Sequence, residues 1–281
     1  MEIDRARARE AFGDYVAAYD PRNPRIALKI AHTYRVATLA AHITESLDMP
    51  APDVDLAWLC GLLHDVGRFE QVRRWNTFRD ADSAPHAALG IDVLFGEGHL
   101  RDYLDDASQD DLIRTAIATH SDFRLPEGLD QRTRAFCDIL RDADKVDIIR
   151  TVSESEPETI VNASAQELLA STISPAATSA FDARRCMLRS ERSAPVDIVV
   201  SFACFAFELV YPESRRELAE QGCLTRLLEQ PFGLTEPYRD PHTRSELARM
   251  ASELAAWLVD QQEDEPRTAH STTARPHLSQ A

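Results

Sequence analysis

Apolar residues in this chain recur three and four positions apart along most of its length, and that spacing restricts it to helices. Leu28, His32, Val36, Leu39 and Ile43 share one helical face, and Leu56, Cys60, Leu63 and His64 make another. No alternating strand pattern flanked by Asn-Gly or Asp-Gly turns occurs, and glycine is scarce at nine residues. The expected fold is all-α. Helices are expected at about 24–49, 53–66, 84–97, 108–120, 131–150, 164–172, 175–190, 195–211, 213–229 and 243–261. Ser164 with Glu167 reads as a capping box, Ser174-Pro175 as a cap before a first-turn proline, and Ser83 ahead of Pro85 as a further cap.

At 281 residues the chain is long enough for a full core. Neither an internal repeat nor a linker divides it, so one helical domain is expected over 1–261, followed by a polar, aperiodic, disordered tail over 262–281. Acidic residues outnumber basic ones by 47 to 31, a net charge of −16. That excludes broad binding to nucleic-acid polymers or anionic membranes, while leaving room for a local basic pocket. Five scattered cysteines with no CxxC pair read as buried free thiols of a reducing compartment. The start, MEIDRARARE, is charged from its second residue and lacks the apolar region of a signal peptide, and the ten-residue apolar run at 198–207 is too short to span a bilayer. A cytoplasmic location is expected.

The polar residues that fall on apolar faces carry the functional signal. His32 lies inside the stripe of its helix, His64 and Asp65 end the next, His120 ends a face with Ile113 and Ile117, and His86 opens a helix. Asp144 sits in a stripe with Phe136, Leu140 and Ile148. A single such histidine is usually a hydrogen-bonded core residue, and a single aspartate usually pairs with arginine. Four inward histidines and two inward aspartates in one small bundle point instead to a metal site, because a buried carboxylate needs a compensating cation.

His32, then His64-Asp65, then Asp144 in RDADKVD, with the flanks KIAHTYRV, LLHDVGRFEQ and NTFRDADSAPH, resembles the H…HD…D signature of the HD-domain superfamily of metal-dependent phosphohydrolases. The resemblance runs from about Tyr15 to Trp257, with its motif core at about 24–150, and implies an HD-type helical bundle. It implies a first metal on His32, His64, Asp65 and Asp144, and in two-metal members a second on His86 and His120, with Asp65 as the bridge. His120 contacting substrate is the alternative. Many members carry lysine where this chain has Arg68, so anion binding transfers to Arg68 but a general-acid role does not. The GYP signature of the cyclic-di-GMP phosphodiesterase branch is absent.

Imidazole and carboxylate donors suit one or two divalent ions among Mn, Fe, Co, Zn and Ni. The expected activity is hydrolysis of a small phosphate ester or nucleotide by metal-activated water, with Asp65, Arg68 and Lys145 in the catalytic set. Arg68, Arg73, Arg74 and Lys29 are candidate substrate-binding cations, the arginines on a loop joining two ligand-bearing helices. Asp147 reads as a partner of a ligand histidine or a direct participant. The remaining histidines considered (His42, His99, His270, His277) match no ligand position, and Trp58, Trp75 and Trp257 read as packing, Trp75 being placed to meet a base. The Asn162 sequon carries no weight in a cytoplasmic protein. The region 150–195 belongs to no motif and is a candidate cover for the pocket. Two other classes share the ligand set: a di-iron centre that activates dioxygen, and a non-catalytic nucleotide sensor or metal-stabilised module.

Overall fold

The structure, a computed structural model, describes residues 3–263, and the described residues are helical with no strand. The helices that build the ligand-bearing part are α1 (Arg5–Ala17), α2 (Pro24–Ser46), α3 (Ala51–Leu63), α4 (Val66–Trp75), α5 (His86–Ile91), α6 (Leu100–Tyr103), α7 (Asp110–Thr119) and α8 (Gln131–Ser153). They are followed by α9 (Pro157–Ile160), α10 (Ala165–Ala170), α11 (Pro175–Asp182), α12 (Pro195–Ala203), α13 (Pro212–Gln221), α14 (Cys223–Glu229) and α15 (Pro241–Glu263). One contiguous cluster of buried apolar side chains runs from Ile3 to Leu258. The end of the expected tail, from 264 on, with His270 and His277, lies outside the described residues.

The long helices start where their sequences say they should. Asn23 caps α2 by accepting from the Arg25 amide, with Pro24 as the first helical residue, and Asp130 caps α8 by accepting from the Arg132 and Thr133 amides. Each such cap contributes about 1 kcal/mol. The Ser164–Glu167 box and the Ser174 cap form as expected. Ser83 caps nothing: its hydroxyl donates to the Arg79 carbonyl and accepts from Gln71, and Pro85 precedes α5 without a side-chain cap.

Several expected helices are broken by local geometry. The 213–229 helix divides at Gly222, whose φ of 60° lies in the left-handed region. The 195–211 helix ends at Ala203 and passes into a tight 3-10 turn, Cys204–Glu208, and the 84–97 helix passes into a π-turn at Asp92–Gly96. The 175–190 helix ends at Asp182, just before Arg184 turns left-handed. Helix α1 was not apparent in the sequence, because it buries only Ala8 and Phe12 and carries little amphipathic signal. The segment Arg68–Arg79, expected as a loop, is helix α4 as far as Trp75.

Two glycines set how closely the ligand-bearing helices approach. A Cβ on Gly61 would lie 2.6 Å from the Cα of Ala37, so α3 lies backbone to backbone on α2. A Cβ on Gly67 would lie 2.1 Å from the carbonyl oxygen of His86 and 2.4 Å from the amide nitrogen of Gly90. Helix α4 therefore rests directly on α5, which brings His86 beside Asp65. The region 150–195 packs toward the carboxy-terminal helices: Ser174 bonds Asp197, and Ile173 bonds Thr243. Among the described residues no hydrogen bond or ion pair joins it to the six ligand-type residues. All five cysteines are buried and free. Among the described residues no helix is long and apolar enough to cross a membrane.

Candidate metal centre

The helix expected over 53–66 ends three residues early. Leu63 ends α3, Asp65 has φ −110° and ψ 15°, and Val66 starts α4. His64 and Asp65 thus occupy the junction itself, and both side chains turn inward and are buried. His32 from α2, His86 from the start of α5, His120 from the end of α7 and Asp144 from α8 converge on the same point. The six residues read from the sequence are all brought together.

All four imidazoles are held in one way. His32 Nδ1 meets Asp147 Oδ2 at 2.7 Å, His64 Nδ1 meets the Gly61 carbonyl at 2.7 Å, His86 Nδ1 meets Asp80 Oδ2 at 2.9 Å, and His120 Nδ1 meets the Ile117 carbonyl at 2.7 Å. Every one of these partners accepts, so every Nδ1 carries a proton and every Nε2 is left to face the centre. His32 Nε2 lies 3.1 Å from Asp144 Oδ1, and His64 Nε2 lies 3.4 Å from Asp65 Oδ2 and 3.5 Å from Asp144 Oδ1. On the other oxygen of Asp65, His86 Nε2 stands at 3.6 Å and His120 Nε2 at 3.8 Å. His32, His64 and Asp144 offer donors mutually within 4.8 Å, and so do His64, Asp65 and His120.

This donor set fits a cation. The Nε2 atoms of His32 and His64 are buried without a hydrogen-bond partner. Burial tends to neutralise His64, but Asp65 and Asp144 outweigh it and carry the imidazole up to about 10. Burial also disfavours charge on Asp65, yet Lys29, His64 and Arg68 hold it well below the usual carboxylate range. Asp144 is held low in the same way by His32 and His64. Burial, then His86 and His64, push His120 down to about 3, and burial and Arg68 push His86 down. Both shifts favour the neutral rings, and with both Nδ1 atoms committed to acceptors the two Nε2 atoms meet at 3.0 Å, a crowding of lone pairs in that tautomer. A divalent ion bound by both relieves that repulsion, and one beside His64 replaces the proton that the carboxylates attract.

The cations expected near substrate separate into two groups. Lys29 Nζ sits 2.5 Å from Asp65 Oδ2, and Arg68 Nε sits 3.5 Å from Asp65 Oδ1, with side chains only 12% and 13% exposed. Arg68 Nη1 also donates to Gln71, the Phe78 carbonyl and Asp80. Both cations lie against the half-buried Phe78 ring, and these three residues rim the centre. Arg73 and Arg74 belong elsewhere. They are exposed on α4 and bond Glu70, as their spacing of three and four residues from it favours. Arg73 lines a cleft of about 620 Å³ with Tyr15, Tyr19 and Glu70, a cleft that includes none of the six ligand-type residues. Lys145 turns away from its neighbour Asp144, about 100° around α8, and stands 3.6 Å from Glu208. His42 pairs with Glu217 at 2.8 Å, and Trp75 is exposed beside Arg74.

Asp80 and Gln71 are functional positions the sequence reading passed over. Asp80 orients His86, and the buried Gln71 ties Asp80, Ser83 and the Ala84 carbonyl together. Asp80 lies in an irregular segment, where no periodicity marks a residue as inward-facing. Asp147 takes the orienting role, bonding His32 while Arg35 and Thr151 satisfy its remaining capacity.

The family model of the HD domain matches residues 30–159. Residues 30–159 form an HD domain. The match takes in all six ligand-type residues and both orienting aspartates, Asp80 and Asp147. Comparison of the chain with curated proteins and with solved structures found no match.

Proposed function

We propose that this HD domain is a metal-dependent phosphohydrolase acting on a small phosphate ester or nucleotide. The observation that carries the reading is the set of four Nδ1-anchored histidines whose Nε2 atoms face two carboxylates. His32, His64, Asp65 and Asp144 would hold one divalent ion, and His86 and His120 with Asp65 a second. Such ions supply Lewis acidity toward a phosphoryl oxygen and acidify water at neutral pH.

The chain's own residues do the rest. Asp147, Asp80 and the Gly61 and Ile117 carbonyls fix ring orientation, so the ligands lose little freedom on binding. Lys29 and Arg68 hold positive charge at the rim, where they meet the non-bridging oxygens of an incoming phosphate. Arg68 orients the anion without delivering a proton. Half-buried Phe78 restricts water at the same rim.

The test is phosphate release from a panel of nucleotides and phosphate esters with Mn²⁺, wild type against Asp65→Ala. Release that disappears in the variant supports hydrolysis at this centre and names the preferred substrate. Equal release from both proteins overturns the assignment. No release from either, with metal bound and the fold intact, moves the reading to dioxygen chemistry or a sensing role.

A further inference from the structure

A second pocket, of about 290 Å³, lies on the face of α8 adjoining the one that carries Asp144. It is bounded by α8, by the segment that follows His120 and by the turn at Cys204–Glu208. Arg124, Arg134, Arg141 and Lys145 line it, a concentration of positive charge in a chain whose net charge is −16. The carboxylates present are largely occupied. Asp138 accepts from Arg134 at 3.3 Å, and buried Asp142 accepts from the Val210 and Tyr211 amides at 2.9 Å each. Glu208 stands 3.6 Å from Lys145 Nζ, beyond a direct hydrogen bond.

Arg141 is the decisive residue. It is only 8% exposed, and no carboxylate pairs with it. Its Nη1 donates to the carbonyls of Thr119, His120 and Asp122, closing the end of α7. Its Nε and Nη2 take no partner among the described residues, although the side chain lines the pocket. The free edge of the guanidinium opens into the pocket, its other edge is met by carbonyl dipoles and by no carboxylate among the described residues, and a phosphoryl group matches its geometry. Phe123, 41% exposed with the Arg124 guanidinium over its ring, forms a flat lip at the same pocket.

We propose that this pocket is a metal-independent binding site for a small phosphate-bearing anion, gripped by Arg141 and Lys145. Its size suits one phosphoryl group with a modest organic part, since ligand pockets start near about 300 Å³. Arg141 holds the backbone carbonyl of His120, so an anion here bears on the turn that carries a ligand-type histidine. The site does not rest on hydrolysis at the metal centre, and the two readings fail separately.

The test is calorimetric titration of pyrophosphate into the full chain in EDTA, using wild type, Asp65→Ala, Lys145→Met and Glu208→Gln. Binding is expected to persist in EDTA and in Asp65→Ala, and to weaken about tenfold or more in Lys145→Met. Glu208→Gln is expected to tighten it, because the variant removes the carboxylate that competes for Lys145. No binding in EDTA, loss in Asp65→Ala, or equal affinity in wild type and Lys145→Met overturns the proposal. Arg141→Met also loosens the turn after α7, which is why Lys145 and Glu208, with opposite expected signs, carry the test. Adenosine monophosphate titrated into Phe123→Ala distinguishes the source of the phosphoryl group. Weakening confined to the nucleotide supports a nucleotide in the pocket, and unchanged binding of both probes supports the phosphoryl group alone.

Discussion

At the residue scale, what makes this centre is the protonation pattern imposed from behind. An imidazole has two nitrogens, and fixing the proton on Nδ1 leaves Nε2 as a donor to a metal. His64 and His120 use carbonyls of their own helices three residues back, Gly61 and Ile117, whereas His32 and His86 use carboxylates. The two carboxylates divide the centre, one behind each half. Asp147→Asn is expected to weaken the ion at His32 about 10–100-fold, and Asp80→Asn the ion at His86 by a similar factor. Metal titration followed by calorimetry reads both. Loss of the same ion in both variants would contradict the two-halved arrangement. His32, His64 and Asp144 were legible because each falls in an apolar stripe, and Asp65 because it follows His64 at the end of one. Asp80 was not, since it lies in a segment without periodicity.

At the element scale, the approach of α4 to α5 decides whether His86 reaches Asp65. Gly67 permits it by having no side chain where the backbone of His86 and Gly90 passes. Gly67→Ala is expected to push the two helices apart at a cost of about 1–3 kcal/mol. It should also lower bound metal, starting with the ion at His86, as measured by thermal unfolding and metal content. Retained stoichiometry with unchanged Tm would show that the contact is not limiting. The other end of α4 is held by Glu70, which accepts from Tyr19 at 2.6 Å and from Arg73 and Arg74. Burial opposes its charge, but Tyr19, Arg73 and Arg74 outweigh it and depress Glu70 below its ordinary 4.5. A depressed carboxylate stabilises the fold above its unfolded value, and that stability is lost as pH falls through the folded value. Glu70→Gln should therefore unfold earlier than wild type at pH 7, by about 2–4 °C for each kcal/mol lost. The two melting curves should converge as pH falls below the ordinary 4.5 and through the lower folded value. A gap independent of pH would mean that Glu70 contributes by packing and neutral hydrogen bonds.

At the scale of the whole molecule, the centre joins α2, the α3–α4 junction, α5, α7 and α8, elements far apart in sequence. An ion bound there ties them together and stabilises the native state by an amount that grows with the logarithm of its free concentration over its dissociation constant. At one hundred times its dissociation constant, that contribution is about 2.7 kcal/mol. EDTA is expected to lower Tm in wild type and to leave Asp65→Ala nearly unmoved, as differential scanning fluorimetry would show. An equal drop in both proteins would place the stabilising ion elsewhere. The carboxy-terminal helices build onto this frame: Asp142 on α8 accepts the amides of Val210 and Tyr211, which join the frame to the start of α13.

By itself the amino-acid sequence determined the helical class and the six inward-facing ligand-type residues, because both are written in spacing: a period near 3.6, interrupted by groups that are costly to bury alone. It also marked Asp147, which shares a helix face with Asp144 three residues away. Only the tertiary structure decided which cations attend the centre. Lys29 and Arg68 meet Asp65, whereas Arg73 and Arg74 turn to Glu70 and Lys145 to Glu208. A long cationic side chain on a helix surface can reach several partners, so its direction is set by the carboxylate that packing places within reach. Asp80 and the pocket behind His120 depend on the same cause. Asp80 and the pocket walls outside α8 belong to segments without a period, whose course is fixed by what they pack against.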